Sequence, residues 1–166
     1  MRGFTVVEML IVCSLILIVS GISFFIYNQI VRNSEIAIQR MDVQEQLAKI
    51  DSVLRRELLK AGPTSDGLTV TSDSVTFLVT IPFSKGSYGT YGSATKLRYS
   101  LNFSGGILAL NVQEIGGSYS RSIQIGELDE CTFSSPNSGV IAYTIGKNLG
   151  GKDYRLQSYV VLSNIK

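Results

Sequence analysis

One acidic residue, Glu8, lies in a long apolar stretch near the start of the chain. Residues 9–27 carry no charged side chain and would span roughly 28 Å as an α-helix, enough to cross the hydrocarbon core of a membrane. Insertion scales assign roughly 3 kcal/mol to an acid at the centre of such a helix, and less near the interface. An ionisable residue in this position indicates a functional role, and the Glu8 carboxylate could fulfil one by pairing with a cation.

Two ordinary interpretations of the same stretch are a secretory signal peptide, with Arg2 as its basic start, and a simple membrane anchor. The small-residue triplet from Gly21 to Ser23 lies inside the apolar run, whereas the cleavage site of a signal peptide comes after the run. The run is also longer than the usual signal-peptide core, and Glu8 interrupts it. An anchor explains the length but gives Glu8 no purpose.

The sequence from Gly3 and Phe4 to Glu8, followed by the apolar helix, resembles the class III signal of type IV pilins and pseudopilins. The resemblance implies that prepilin peptidase removes residues 1–3 by cleaving between Gly3 and Phe4, and then methylates the new N-terminus of Phe4. It also implies a lollipop-shaped subunit that is held in the inner membrane by its N-terminal helix, with the C-terminal domain outside, before it enters a pilus or pseudopilus.

This processing suggests what Glu8 does. Cleavage would expose an amine on Phe4, and in a helical filament Glu8 of one subunit could pair with the Phe4 amine of its neighbour. A buried carboxylate without a partner is costly, whereas a paired one is tolerated and fixes the register of packing. We therefore expect the carboxylate to lack a partner in the single chain and to gain one on assembly.

The helix is predicted to continue beyond the membrane segment, from a transmembrane and polymerisation half at residues 4–31 to an amphipathic half at residues 32–61. Gly21 is the one helix breaker in the first half and a candidate bend. The Gly62-Pro63 pair predicts the stop. Apolar residues at helical spacing form a stripe in the second half: Ile36, Val43, Leu47, Ile50, Leu54, Leu58 and Ala61.

Residues 62–166 change to the two-residue period of strands, clearest in Leu97, Tyr99, Leu101 and Phe103. The connections are short and rich in glycine, such as residues 104–106 and 148–153, which predicts antiparallel pairing. The predicted fold class is α+β, with a long N-terminal helix packed on an antiparallel sheet.

The segment 84–95 is rich in Gly and Ser and contains Tyr88 and Tyr91. Its ordinary interpretation is a flexible surface loop. The alternative is a contact surface, because tyrosines among small polar residues are typical of adaptable binding loops.

Enzymatic chemistry finds little support, since the chain has no histidine and no phosphate-binding loop. The acidic group Glu127, Asp129 and Glu130 lacks the spacing of a calcium loop, which favours a solvated turn and predicts no metal and no cofactor. Cys13 is predicted to be a small hydrophobe in the apolar helix, and Cys131 a buried thiol.

Residues 47–62 and the strands at 97–112 are similar to minor pilins of the PilW type and to J-type minor pseudopilins. This implies a subunit of a type IV pilus that primes assembly or lies at the tip, with a type II secretion pseudopilus or a competence pilus for DNA uptake as alternatives. The implied partners are other pilin subunits, prepilin peptidase and the inner-membrane assembly platform. The net charge of +2 offers no basic surface for direct nucleic-acid binding. A membrane-anchored binding domain without a filament role is the alternative of another class.

Overall fold

The computed structural model describes residues 5–61, 67–81 and 95–162. The predicted processing junction at Gly3 and Phe4, the Gly62-Pro63 stop, and Tyr88 and Tyr91 of the predicted contact loop lie outside the described residues. Contacts divide the chain into two units, Met1–Asp42 and Val43–Lys166, and each unit is described by itself.

Helix α1 runs without interruption over Val6–Leu58. In the first unit its side chains are exposed, apart from the half-buried Val31. This includes Ile36, which the sequence places in the buried stripe but which is 46% exposed. In the second unit the predicted stripe is confirmed, and its buried helical members are Val43, Leu47, Ile50, Leu54 and Leu58.

The helix ends three residues earlier than the sequence predicts. The amide groups of Lys60 and Ala61 donate to the carbonyl oxygens of Glu57 and Leu58, at 3.1 and 3.0 Å. These bonds connect residues three apart, so the final turn is tighter than an α-helix. Ala61 remains buried beyond the helix end.

The rest of the chain is antiparallel β-structure, which confirms the predicted α+β class. The strands agree in position with the apolar runs of the sequence, and residues 97, 99, 101 and 103 of β3 share one face, as predicted. The strands are β1 Thr69–Val70, β2 Ser74–Ile81, β3 Thr95–Ser104, β4 Ile107–Glu114, β5 Ser120–Glu127, β6 Glu130–Asn137, β7 Val140–Leu149 and β8 Lys152–Val161.

The strands form two sheets where the sequence predicts one. Strands β1 to β5 pair in chain order in a five-stranded sheet, and β6, β7 and β8 pair in a three-stranded sheet. The chain changes sheets between two neighbouring residues. The Leu128 amide donates to the carbonyl oxygen of Gly106, in the turn between β3 and β4 of the first sheet, and the Asp129 amide donates to that of Gly146 in β7 of the second. Both acceptors are distant in sequence, so no local pattern announces the change.

Two of the tight turns need glycine. Gly105 and Gly106 join β3 to β4 with φ of 60° and 80°, and Gly150 and Gly151 join β7 to β8 with φ of 59° and 79°. Positive φ at both central residues matches the right-handed twist of paired strands and is readily adopted by glycine. The hairpins predicted at residues 104–106 and 148–153 are confirmed.

The second part of α1 lies close to the five-stranded sheet at Gly126 of β5. A Cβ atom at this position would lie 2.5 Å from Cδ1 and 2.9 Å from Cγ1 of Ile50, which is buried. The absence of a side chain at residue 126 therefore sets how near the helix can come to β5.

Gly126→Ala should lower the free energy of unfolding by about 1–3 kcal/mol, because the new methyl group overpacks this contact. Ile50→Val removes the nearest atom, so the double variant should be destabilised by less than the sum of the two single changes. Denaturant unfolding of the full-length protein in detergent measures all three variants. Additive effects would contradict a direct contact between these two residues.

Candidate functional site

Glu8 lies in the first turn of α1 and is part of a reciprocal cap with Thr5. The carbonyl oxygen of Thr5 accepts the first helical hydrogen bond, from the Met9 amide at 3.2 Å, which makes Thr5 the N-cap residue. The Thr5 amide and hydroxyl donate to Oε2 of Glu8 at 2.9 and 3.0 Å, and the Glu8 amide donates to the Thr5 hydroxyl at 3.4 Å. This is a capping box, which satisfies backbone donors that the helix itself cannot pair.

The cap corrects one expectation about Glu8. Its carboxylate does have a partner in the single chain, and both bonds to that partner use the same oxygen, Oε2. The carboxylate also lies at the positive end of the helix dipole, which favours the anion. The spacing of Thr5 and Glu8, three residues apart before an apolar run, is the sequence signal that identifies such a cap.

The apolar side chains behind Glu8 are exposed over several helical turns. Leu17, Val19 and Phe25 are 73, 61 and 68% exposed, and at about 100° per residue they lie on different sides of the helix. Within the described residues, α1 is the one helix long and apolar enough to cross a membrane. An exposed apolar surface of this extent is typical of a surface that contacts a membrane or another protein, and the helix is long enough to span a membrane.

Polar groups within this stretch are accommodated by the helix backbone. The Ser14 hydroxyl donates to the carbonyl oxygens of Leu10 and Ile11 at 2.8 and 2.9 Å. Cys13 is exposed as a free thiol among apolar neighbours. At Gly21 the helix continues, and a Cβ atom there would meet nothing within 4 Å. The bend at Gly21 stays a prediction.

In the second unit, a polar cluster joins α1 to the three-stranded sheet. The Tyr143 hydroxyl of β7 donates to Oδ1 of Asp51 at 2.7 Å, and Nε of Arg55 donates to Oδ2 of the same carboxylate at 2.9 Å. The Arg55 guanidinium also donates to the hydroxyl of Ser158 in β8, which is buried. Both carboxylate oxygens of Asp51 are therefore used, and the helix is held in one register on the sheet.

The cluster changes the titration of its members. Burial acts to raise the pKa of Asp51, but hydrogen bonds from Tyr143, Arg55 and Ser158 outweigh burial and lower the pKa below its usual 3.8. Burial is the main reason that the pKa of Tyr143 is raised, so its hydroxyl stays a donor at ordinary pH.

Asp51→Asn should flatten the pH dependence of stability. Because folding lowers the pKa of Asp51, its contribution is complete above pH 3.8 and is lost as the pH falls through the lower folded value. Between about pH 5 and pH 2 the wild type should therefore lose more unfolding free energy than the variant. Denaturant melts across this range measure the difference, with Glu127→Gln, at an exposed position, as the control. Parallel curves for wild type and Asp51→Asn would contradict this role.

Glu57 forms a second buried ionic contact near the end of α1. Its carboxylate pairs with Nζ of Lys60 at 2.6 Å and with Nε of Arg56 at 3.2 Å. Nζ of Lys60 also lies 5.8 Å from the centre of the Tyr99 ring in β3. The two basic residues complement the negative end of the helix dipole. Lys60 also joins the end of the helix to the five-stranded sheet, through its contact with the Tyr99 ring.

The three acidic residues Glu127, Asp129 and Glu130 do not form one site in the structure. The Asp129 carboxylate accepts the Asn148 amide at 2.6 Å, and the Glu130 carboxylate pairs with Arg155 at 2.8 Å. Glu127 is exposed at the end of β5. Two of the three carboxylates therefore support the β6–β7–β8 sheet.

Cys131 of β6 is a buried thiol, as predicted. Burial, together with the negative charge of Asp73, raises the pKa of Cys131 to about 12. A thiol in this environment stays protonated and packs as a hydrophobic side chain.

Searches with the chain matched no protein-family model, no curated protein and no solved structure.

Proposed function

We propose that the chain is a minor pilin-like subunit of a type IV pilus that acts in priming assembly or in the tip complex. The observation that carries the proposal is the position of Glu8, in the first turn of an exposed apolar helix and five residues after Gly3. A carboxylate at this point is placed to meet the Phe4 amine of a neighbouring subunit once the leader is removed.

The second unit supports the same proposal. A filament subunit needs a rigid domain attached firmly to its polymerisation helix. Here the Val43–Leu58 part of α1 is anchored by an apolar stripe and by the Asp51 and Glu57 clusters. Such contacts fix this part of the helix on the sheets.

The proposal includes a route through the cell. The precursor is held in the inner membrane by α1 with its C-terminal domain outside. Prepilin peptidase then cleaves between Gly3 and Phe4, and the assembly platform moves the subunit into the filament. The partners of the mature chain are other pilin subunits, packed helix against helix. The same properties fit a minor pseudopilin of a type II secretion system or competence pilus, and fractionation from cells with each machine separates these roles.

The test is co-fractionation in cells that carry the assembly machine. Filaments are sheared from the surface, or extracted as pseudopili, and probed for this chain. The chain should be present at a low ratio to the main subunit and absent when the peptidase is deleted. Recovery in the membrane fraction alone, with the same result in both strains, would favour the anchored binding domain and overturn the proposal.

A further inference from the structure

The face of the β6–β7–β8 sheet that points away from α1 carries two rows of uncharged side chains. Phe133, Tyr143 and Ser158 are buried on the helix side, so the residues next to them in each strand point to the other side. The strand register places Ser134, Ala142 and Tyr159 in one row. The second row consists of Thr132, Thr144 and Gln157.

These two rows, together with Phe133, Tyr143 and Ser158 between them, line a cavity of about 490 Å³. The described lining contains no residue of α1, so the cavity opens on the outer face of the sheet. Ala142 lies on the central strand, β7, and its small side chain leaves a depression between the larger side chains around it. Tyr159 stands beside it on the edge strand β8 and is 66% exposed. The volume is within the range of small-molecule sites, roughly 300–1,000 Å³.

The lining selects against charged ligands. None of the lining residues carries a formal charge. The nearest row on the same face holds Glu130 and Arg155, which neutralise each other in an ion pair of 2.8 Å. An anionic or cationic ligand would lose its hydration here without gaining a partner of opposite charge.

The same lining suits a ligand rich in hydroxyl groups. The hydroxyls of Ser134, Thr132 and Thr144 can each donate and accept hydrogen bonds, and the Gln157 amide offers two donors and an acceptor. The Tyr159 ring offers an apolar face and a polar tip, the amphipathic surface on which a sugar ring can stack. Neutral hydrogen-bonding groups around one exposed aromatic ring match both the polar edge and the apolar face of a saccharide.

The geometry points to a binding site for a neutral saccharide on the outer face of the β6–β7–β8 sheet, with Tyr159 as its stacking platform and Ala142 as its floor. This site is independent of the filament proposal, because it involves neither Glu8 nor the apolar helix. In a surface-exposed subunit the site would attach the protein to uncharged glycan. Among related sugars, those with an unsubstituted apolar ring face should bind best.

The experiment is calorimetric titration of the full-length protein in lipid nanodiscs, which avoids the sugar head groups of common detergents. The probes are lactose, cellobiose and chitobiose, with sialyllactose as the anionic counterpart of lactose. At least one neutral disaccharide should bind in the millimolar range or tighter, and sialyllactose should bind no better than lactose.

Three variants locate the binding. Tyr159→Ala and Ala142→Leu should each weaken binding about tenfold or more, by removing the platform and by filling the floor. Val161→Ala is the matched control, because Val161 is exposed on the same face of β8 but does not line the cavity, and it should bind as the wild type does. Thermal melts verify that all three fold.

Failure of the wild type to bind any neutral disaccharide of the panel would overturn the assignment. So would unchanged affinity in both folded cavity variants, or a preference for sialyllactose. Equal loss in the Val161→Ala variant would point to a wider protein-binding surface and would also overturn it.

Discussion

Glu8→Gln should block entry into filaments while leaving the start of α1 intact. Glutamine at the same position can accept the Thr5 amide and preserve the cap, since the capping box tolerates Glu or Gln. It cannot form an ion pair with the Phe4 amine of a neighbour. Breaking a buried pair costs about 3–5 kcal/mol, so incorporation should fall on the order of a hundredfold or more.

Two companion variants separate assembly from capping. Thr5→Val removes the hydroxyl that caps the Glu8 amide but keeps the carboxylate, at a cost of about 1 kcal/mol in helix stability. It should enter filaments nearly as well as the wild type. Glu8→Ala removes both functions and should behave like Glu8→Gln, inserting in the membrane but entering filaments poorly. The readout is the amount of each variant in sheared filaments, relative to the amount in the membrane.

The opposite ranking would give Glu8 a different purpose. If Glu8→Gln enters filaments normally while Thr5→Val and Glu8→Ala do not, then the carboxylate serves only to cap the helix. The ion-pairing role would then be wrong, although the chain could still be a filament subunit.

Leu54→Ala should produce a large loss of stability in the second unit. Leu54 lies on α1, is fully buried, and contributes to the core that the helix shares with the sheets. Truncation of a leucine in such a core leaves a cavity and lowers the free energy of unfolding by about 2–5 kcal/mol. Leu59→Ala, five residues along, is the control, because Leu59 is 57% exposed and should lose no more than about 0.5 kcal/mol.

Denaturant unfolding of the full-length protein in detergent, followed by tyrosine fluorescence, measures both variants, since the chain has tyrosines and no tryptophan. Equal losses at residues 54 and 59 would mean that the buried stripe does not anchor the domain to its helix.

Local pattern was enough to predict most of the fold. The helical spacing of Val43, Leu47 and Leu54 identified the buried side of α1. Glycines at residues 105 and 106 identified a hairpin, because positive φ is a local requirement of the turn. Properties of this kind depend on neighbours within a few residues, which sequence reasoning can evaluate.

The remaining features depend on contacts between distant residues. The two-sheet arrangement is decided where Leu128 and Asp129 donate to carbonyl groups of hairpins that belong to different sheets. The pairing of Tyr143 with Asp51 joins residues 92 positions apart, and nothing near either residue indicates the other. Only the Thr5 cap had a local signal, which is easily overlooked when Glu8 is considered solely as a charge in an apolar segment.

Intact-mass and peptide mass spectrometry of the protein from its native membrane tests the central claim most directly. If the chain is a processed filament subunit, its mature N-terminus will be a methylated Phe4, with residues 1–3 removed. A protein that retains its Met1-Arg-Gly start in cells with an active prepilin peptidase would contradict the account, because Glu8 would then have no Phe4 amine to pair with.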